Sequence, residues 1–457
     1  MHITTPHSPM LSNVLEPDSI ALIGASSNRE KWGYRILNNI ISGGYAGSVY
    51  LVNPNEDEVL GMRCYPSVLD IPHRVDLVII AVPAEIVPAV LEDCGRQGAR
   101  GVVIVSAGFS EVGNRELENN VRDIARNYEM RMIGPNTFGF INTHLHLNAS
   151  IIPQMPETGG ISFVTQSGTF GLALVDWAAS QQMGLHLVVG VGNKADVDDS
   201  DILAYLSADR HTKTIMMYIE GIERGRRFID VASRIRKPII VLKTGRSQAG
   251  SKAALSHTGS LAGADRIYGG AFKQAGVIRA GTIEELFDSA LALSISPPAD
   301  DGIGIVSNGG GAAILAADLC EDLGLNLPDL SDDTVRMLEG VLPAIATPAN
   351  PLDTAGYASY DLFKSVTGIV LSDPAINALL VIYVHAEMVD PCLPAEAVID
   401  ARVGCDKPVL TSWIGGKGIG TAVKRLEENR IPNYPLPERA VVALNNLVRY
   451  KRILQKR

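Results

Sequence analysis

One histidine in this chain sits in a segment suited to reaction rather than packing. His257 lies within GRSQAGSKAALSHTGSLAGAD, too polar for a core strand and too rich in glycine and serine for a firm helix. The small neighbours leave room for a phosphoryl group on an imidazole nucleophile. Glu220 ends an apolar run, TIMMYIEG, and Gly221 follows it. A carboxylate at such a strand end can accept one imidazole N–H, fix the tautomer and leave the other nitrogen to attack. Phosphohistidine carries about two negative charges, so fixed donors nearby would stabilise it. The other histidines have blander settings. His2 and His7 lie in a tail, and His144 and His146 form at most a metal pair with no third ligand near in the sequence. No metal site is expected.

Two stretches offer those donors. Thr165-Gln166-Ser167-Gly168 and Ser307-Asn308-Gly309-Gly310-Gly311 each end a strand and open a helix. Both combine small residues, backbone N–H groups and the positive end of a helix. Two such starts in separate domains can converge on one phosphate; the competing reading of each, an ordinary glycine-rich crossover turn, carries less weight. A third turn, Gly24-Ala25-Ser26, can bring backbone donors to a nucleotide phosphate, with Lys31 as a neutralising charge. The full dinucleotide pattern G-x-G-x-x-G is missing. The next strand ends in Asn53-Pro54-Asn55, with no carboxylate placed for a nicotinamide-nucleotide ribose. A nucleotide-containing ligand other than NAD is therefore expected. Further strand ends suit it: Val82-Pro83, Ser106-Ala107-Gly108-Phe109 and Gly134-Pro135-Asn136.

Short apolar strands alternating with amphipathic helices must position these residues, a pattern of parallel sheets covered on both faces. SIALIGAS, SVYLVN, DLVIIAVP, GVVIVSAG and RMIGPN form a first block, with a helix over Trp32–Ser42. GISFVTQSG, HLVVGVGN, TIMMYIEG and PIIVLKTG form a second; GIGIVSNGGG, NALLVIYVHAE and PVLTSWIGG form a third, closed by a helix near Glu438–Arg452. IIPQMPETGG and SISPPADDG read as the breaks. The expectation is three consecutive α/β domains with mostly parallel sheets, over 1–148, 149–296 and 297–457. A chain of 457 residues with 46% hydrophobic and 20% charged residues can bury cores of that size. The net charge of −10 argues against nucleic-acid or anionic-membrane partners. Five scattered cysteines read as reduced thiols. No apolar run of about 18 residues suggests a membrane span, and the first residues lack signal-peptide features. A cytoplasmic enzyme is expected.

With these residues assembled, the chain resembles the α subunits of the acyl-CoA synthetase (NDP-forming) family, the ADP-forming acetyl-CoA synthetases, which are relatives of succinyl-CoA synthetase. Ser256-His257-Thr258-Gly259-Ser260-Leu261-Ala262-Gly263 is similar to the family's phosphohistidine loop, and Glu220 in YIEG to its histidine-orienting glutamate. The resemblance implies three Rossmann/flavodoxin-like domains. The first would bind CoA through Gly24, Ala25, Ser26, Lys31, Asn53, Val82, Pro83, Ser106, Ala107, Gly108 and Asn136. Gln166, Ser167 and Gly168 would face phosphate, as would Asn308, Gly309, Gly310 and Gly311, accompanied by Asn350-Pro351-Leu352-Asp353. Asn55 stands where a lysine is usual. No fourth, ATP-grasp domain is found, so ADP or ATP, with its Mg2+, would sit on a separate ATP-grasp β subunit in a hetero-oligomer of α2β2 type. The implied reaction turns acyl-CoA, ADP and phosphate into carboxylate, CoA and ATP. The rival readings are a non-catalytic CoA-binding regulatory protein and a nicotinamide-dependent oxidoreductase.

Overall fold

The computed structural model describes residues 8–181, 183–250, 252, 265–386 and 389–457. It divides into two units, Met1–Arg279 and Ala280–Arg457. The first unit opens with helix α1 (Ser8–Leu15) and a seven-stranded sheet of β1 (Ser19–Ile23), β2 (Ser48–Val52), β3 (Glu58–Val59), β4 (Met62–Tyr65), β5 (Leu77–Ile80), β6 (Gly101–Ile104) and β7 (Arg131–Ile133). Its order is β3-β4-β2-β1-β5-β6-β7. All neighbours are parallel except β3 against β4. Helices α2 (Trp32–Gly43), α3 (Val87–Gln97) and α4 (Arg115–Asn127) cross between strands. β5 and β6 are buried at every position, as apolar runs in a two-sided parallel sheet should be.

The second sheet contains β8 (Gly139–Asn142), β9 (Leu147–Ser150), β10 (Thr158–Thr165), β11 (Leu185–Gly190), β12 (Thr214–Ile219), β13 (Ile239–Lys243) and β14 (Ile278–Ala280), in the order β14-β13-β12-β10-β11-β8-β9. α5 (Gly168–Ser180), α6 (Asp199–Ala208), α7 (Gly225–Ala232) and α8 (Asp265–Ala275) accompany it. β8 and β9 are an antiparallel hairpin, and β8 runs antiparallel to β11. The change of sheet thus comes before residue 148, not at IIPQMPETGG as the sequence suggests. The hairpin is too short for its alternation to stand out. What fixes it is distant: Asn39 of α2 donates to the carbonyls of Ser150 and Ile152 (2.8 and 2.9 Å). Arg131 of β7 pairs with Asp196 at 3.0 Å, tying the two sheets of this unit together.

The second unit has a four-stranded parallel sheet of β15 (Ile303–Ser307), β16 (Leu352–Asp353), β17 (Ala378–Val384) and β18 (Val409–Ile414), in the order β16-β15-β17-β18. Its helices are α9 (Ile283–Ile295), α10 (Gly310–Asp322), α11 (Asp332–Glu339), α12 (Tyr360–Ser372), α13 (Cys392–Arg402), α14 (Gly420–Glu428) and α15 (Pro437–Gln455). The expected boundary at 296 places α9 with the second block. In the structure α9 packs on α15: Arg439 holds Asp288 with bonds of 2.7 and 2.8 Å, and Asn446 donates to Ser289 at 2.7 Å. These partners lie 151 to 157 residues apart, beyond any local pattern. No helix among the described residues is long and apolar enough to cross a membrane.

Candidate active site

The carboxyl ends of the parallel strands carry the chemistry-bearing residues, as open α/β sheets require. On the first sheet, Gly24 follows β1 with φ of 88°, and a Cβ there would lie 2.5 Å from the Ala81 carbonyl. Gly33, in the first turn of α2, approaches so closely that a Cβ would meet the Gly24 oxygen at 1.9 Å. Two glycines thus bring a helix start onto the turn. Beside it lies a cleft of about 370 Å³, lined by Lys31, Trp32, Val82, Pro83, Ser106 and Ala107 among others. Five sequence-predicted binding residues meet there: Lys31, Val82, Pro83, Ser106 and Ala107. The others have structural tasks. The Ser26 hydroxyl and Ser27 N–H donate to Glu56 at 3.1 and 2.9 Å. Asn53 donates to the Ala25 carbonyl at 2.7 Å and accepts from Asn55 N–H at 2.9 Å. Gly108 N–H donates to Glu111 at 2.6 Å, and Asn136 donates to Asn193 at 3.2 Å. Ser106, within the cleft wall, donates to the Val82 carbonyl at 2.5 Å. Glu56 comes after the end of β2 at Val52, too late for the ribose acid of a nicotinamide-nucleotide site, and its carboxylate is turned onto the glycine turn itself.

On the second sheet the structure joins Gln166 to Glu220. The Gln166 side-chain oxygen accepts from both Glu220 N–H and Gly221 N–H, the latter at 3.0 Å, while its amide donates to the Gly221 carbonyl at 2.8 Å. Lys194 donates to the same carbonyl at 2.7 Å and pairs with Asp199 at 2.8 Å. Gln166 is therefore a clamp on the glutamate's backbone, with both polar atoms of its side chain engaged there. The donors left for an anion are the first backbone N–H groups of α5, which have no partner within the helix. A Cβ at Gly168 would meet nothing within 4 Å, so the helix start is open. His257 lies outside the described residues, between the end of β13 and the start of α8.

The third sheet repeats this construction. Thr165 exchanges hydrogen bonds with Ser167 N–H and carbonyl (3.2 and 3.1 Å), and Ser307 does the same with Gly309 (3.0 and 3.0 Å). Asn308 clamps the neighbouring strand as Gln166 does: it accepts from Val384 N–H at 2.7 Å and donates to the Val384 carbonyl at 3.0 Å. Asn308 is thus also a clamp. Gly310 opens α10 beside Asp353, whose oxygen would lie 2.7 Å from any Cβ at Gly310. Asn350 donates to the Ile303 carbonyl at 2.8 Å and accepts from Ile305 N–H at 3.0 Å, so its role is to bind the flank of β15.

Sequence reading set Glu56 aside as too late after its strand for a ribose acid, and missed Glu111, Asn193, Lys194, Lys243 and Tyr268. Asn193 donates to Glu111 and Glu118 (2.6 and 2.8 Å), joining the loops of the first and second sheets. Burial would raise the Glu111 carboxyl, but bonds from Gly108 N–H and Asn193 outweigh it and hold the group low. Lys243 carried a visible signal, a cation ending the apolar run PIIVLK. His144 pairs not with His146 but with His186, ring nitrogen to ring nitrogen at 2.8 Å, and its ring lies 3.8 Å from that of His211. Among the described residues no group of three or more His, Cys, Asp or Glu could hold a metal ion.

Comparison with known proteins follows the same geography. Residues 18–143 match a CoA-binding domain, 158–293 a succinyl-CoA-ligase-like flavodoxin domain and 303–455 a ligase-CoA domain. The α subunit of Pyrococcus furiosus acetate–CoA ligase [ADP-forming] I is 42% identical over 97% of this chain and 98% of its own. The chain belongs to the ADP-forming acetate–CoA ligase family. It is 44% identical to the Methanocaldococcus jannaschii acetate–CoA ligase [ADP-forming], whose longer chain it spans to 63%. A solved acetyl-coenzyme A synthetase 1 of Candidatus Korarchaeum cryptofilum, in complex with phosphate and ADP, superposes with a TM-score of 0.94 at 40% identity, over 97% of each chain. Like these relatives, the chain is of the ligase type, built from three α/β sheets.

Proposed function

We propose that the chain is the phosphohistidine-carrying α subunit of an ADP-forming acyl-CoA synthetase, with acetyl-CoA as the acyl substrate, working in the cytoplasm. The first domain holds CoA in the cleft at Lys31, Val82 and Ser106. The second carries His257, and the third supplies a second anion-seeking helix start at Gly309-Gly310-Gly311. A phosphate oxygen attacks the thioester carbonyl and the CoA thiolate leaves, giving acyl phosphate. One His257 nitrogen attacks phosphorus and the carboxylate leaves. Glu220 accepts the proton-bearing nitrogen's N–H and steadies the charge that develops. The phosphoryl group then passes to ADP, which with Mg2+ sits on an ATP-grasp β subunit in an α2β2 assembly.

The observation that carries this reading is the clamp of Gln166 on Glu220 and Gly221, beside the open start of α5. It fixes the backbone of a glutamate at a strand end, beside a helix start that favours an anion. The test is direct. Acetyl-CoA with labelled phosphate is expected to yield an acid-labile, base-stable phosphoprotein, and His257→Asn to abolish the label. Normal labelling of that variant would refute the assignment. Transfer of the label to ADP is expected only after a β subunit is added.

A further inference from the structure

A large aromatic ring at the cleft of the first sheet has no part in the steps above. Trp32 opens α2 and lines the cleft beside Lys31. It is the exposed one of the chain's three tryptophans, at 46%, whereas Trp413 is buried and Trp177 half-buried. Ile36 and Leu37, one turn on, set the packing face of α2 into the core, and Trp32 stands off that face. Holding so much apolar surface in water forgoes the burial that an indole usually gains. The Arg35 guanidinium lies 5.0 Å from the ring centre, a cation–π contact. It braces the ring from within the first turn of the helix and leaves the remainder open to the cleft.

The cleft has two ends of different chemistry. At the α2 end Lys31 supplies positive charge, and the first N–H groups of the helix have no partner within it. That end suits phosphate, and a planar base next to the phosphate would meet Trp32. The other end is formed by Ser106 and Ala107, after β6. It leads towards the second sheet. Gly108 N–H donates to Glu111 at 2.6 Å, Asn193 donates to Glu111 at 2.6 Å, and Lys194 donates to the Gly221 carbonyl, beside Glu220, at 2.7 Å. A thioester bound for the phosphate site takes the Ser106 end, so the nucleotide of CoA takes the Lys31 end. We infer that Trp32, braced by Arg35, stacks on the adenine of CoA. The cleft thereby selects the nucleotide-bearing thiol over phosphopantetheine, free or on a carrier protein. A base presents a π-face to such a ring, and the stack needs no further hydrogen bond. This inference rests on the proposed binding of CoA in this cleft.

The test titrates the full chain with CoA and with 4′-phosphopantetheine, which shares the arm and a phosphate but lacks the adenosine. Calorimetry is expected to show Trp32→Ala binding CoA about tenfold more weakly than wild type, the scale of one lost stack. Its affinity for phosphopantetheine is expected to match wild type. Trp32→Phe keeps a ring and is expected to keep most of the CoA affinity. Trp32 is exposed, so neither variant puts the fold at risk. Emission gives a second readout. CoA should quench tryptophan fluorescence in wild type, and phosphopantetheine should not. Trp32→Phe, which retains Trp177 and Trp413, should lose the quench. A Trp32→Ala protein with wild-type CoA affinity overturns the inference. So does one that loses affinity for both ligands alike, because the ring then serves the arm and not the base. Wild-type protein that binds no CoA overturns the proposed function instead.

Discussion

Replacing Gln166 with alanine tests the central construction. The side chain makes three bonds to the Glu220–Gly221 turn: two accepted from N–H groups and one donated to the Gly221 carbonyl. That carbonyl keeps its bond from Lys194, so the loss falls on the two N–H groups. Each part-buried donor left without a partner costs about 1–2 kcal/mol, giving a destabilisation of roughly 2–4 kcal/mol. A domain with about 5–15 kcal/mol of stability remains folded. The larger effect is on chemistry. A turn freed to move by about 1 Å misplaces the Glu220 carboxylate, and labelling of His257 should fall on the order of 100-fold. Gln166→Glu keeps the acceptor but sets a carboxylate oxygen against the Gly221 carbonyl, so its stability should fall between those of Gln166→Ala and wild type. Urea denaturation and the rate of acid-labile labelling measure both effects. A Gln166→Ala protein with an unchanged urea midpoint and wild-type labelling would refute the clamp.

Three further outcomes are expected. Gly24→Ala forces a Cβ into a left-handed turn and against the Ala81 carbonyl; the backbone alone costs about 1–2 kcal/mol. CoA affinity, by calorimetry, should fall about tenfold or more, while labelling of His257 from acetyl phosphate persists. Burial would raise Asp209, but contacts from His186 (2.9 Å) and Thr212 outweigh it and hold the carboxyl well below its usual range. A depressed acid adds stability above its unfolded value of about 3.9 and loses it as pH falls towards its folded value. Asp209→Asn should therefore cost roughly 2 kcal/mol near neutrality, and urea midpoints of variant and wild type should converge in strong acid; a constant gap would contradict this. Burial pushes the Cys94 and Cys320 thiols up to about 12. Neither should react with iodoacetamide near pH 8 in the native protein, and mass spectrometry showing modification before unfolding would disprove it.

The sequence by itself determined the elements and their types. Strand runs such as LVII and GVVI, and helix starts at Gly168 and Gly310, are local properties of hydrophobic period and turn chemistry, and the structure follows them closely. The location of Glu220 directly after β12 was legible for the same reason. What the tertiary structure alone decided is which side chain meets which backbone. Gln166 and Asn308 look like ligand contacts in the sequence, yet they are clamps on residues 54 and 76 positions away. Ser26 looks like a phosphate donor, yet it serves Glu56, 30 positions on. The hairpin β8–β9 and helix α9 join sheets that their neighbours in the chain do not predict. In each case a polar or apolar group needs a partner, and local sequence states the need without naming what will meet it. Folding supplies the partner, because a buried N–H, carbonyl or charge left unmatched costs more than the chain can spare.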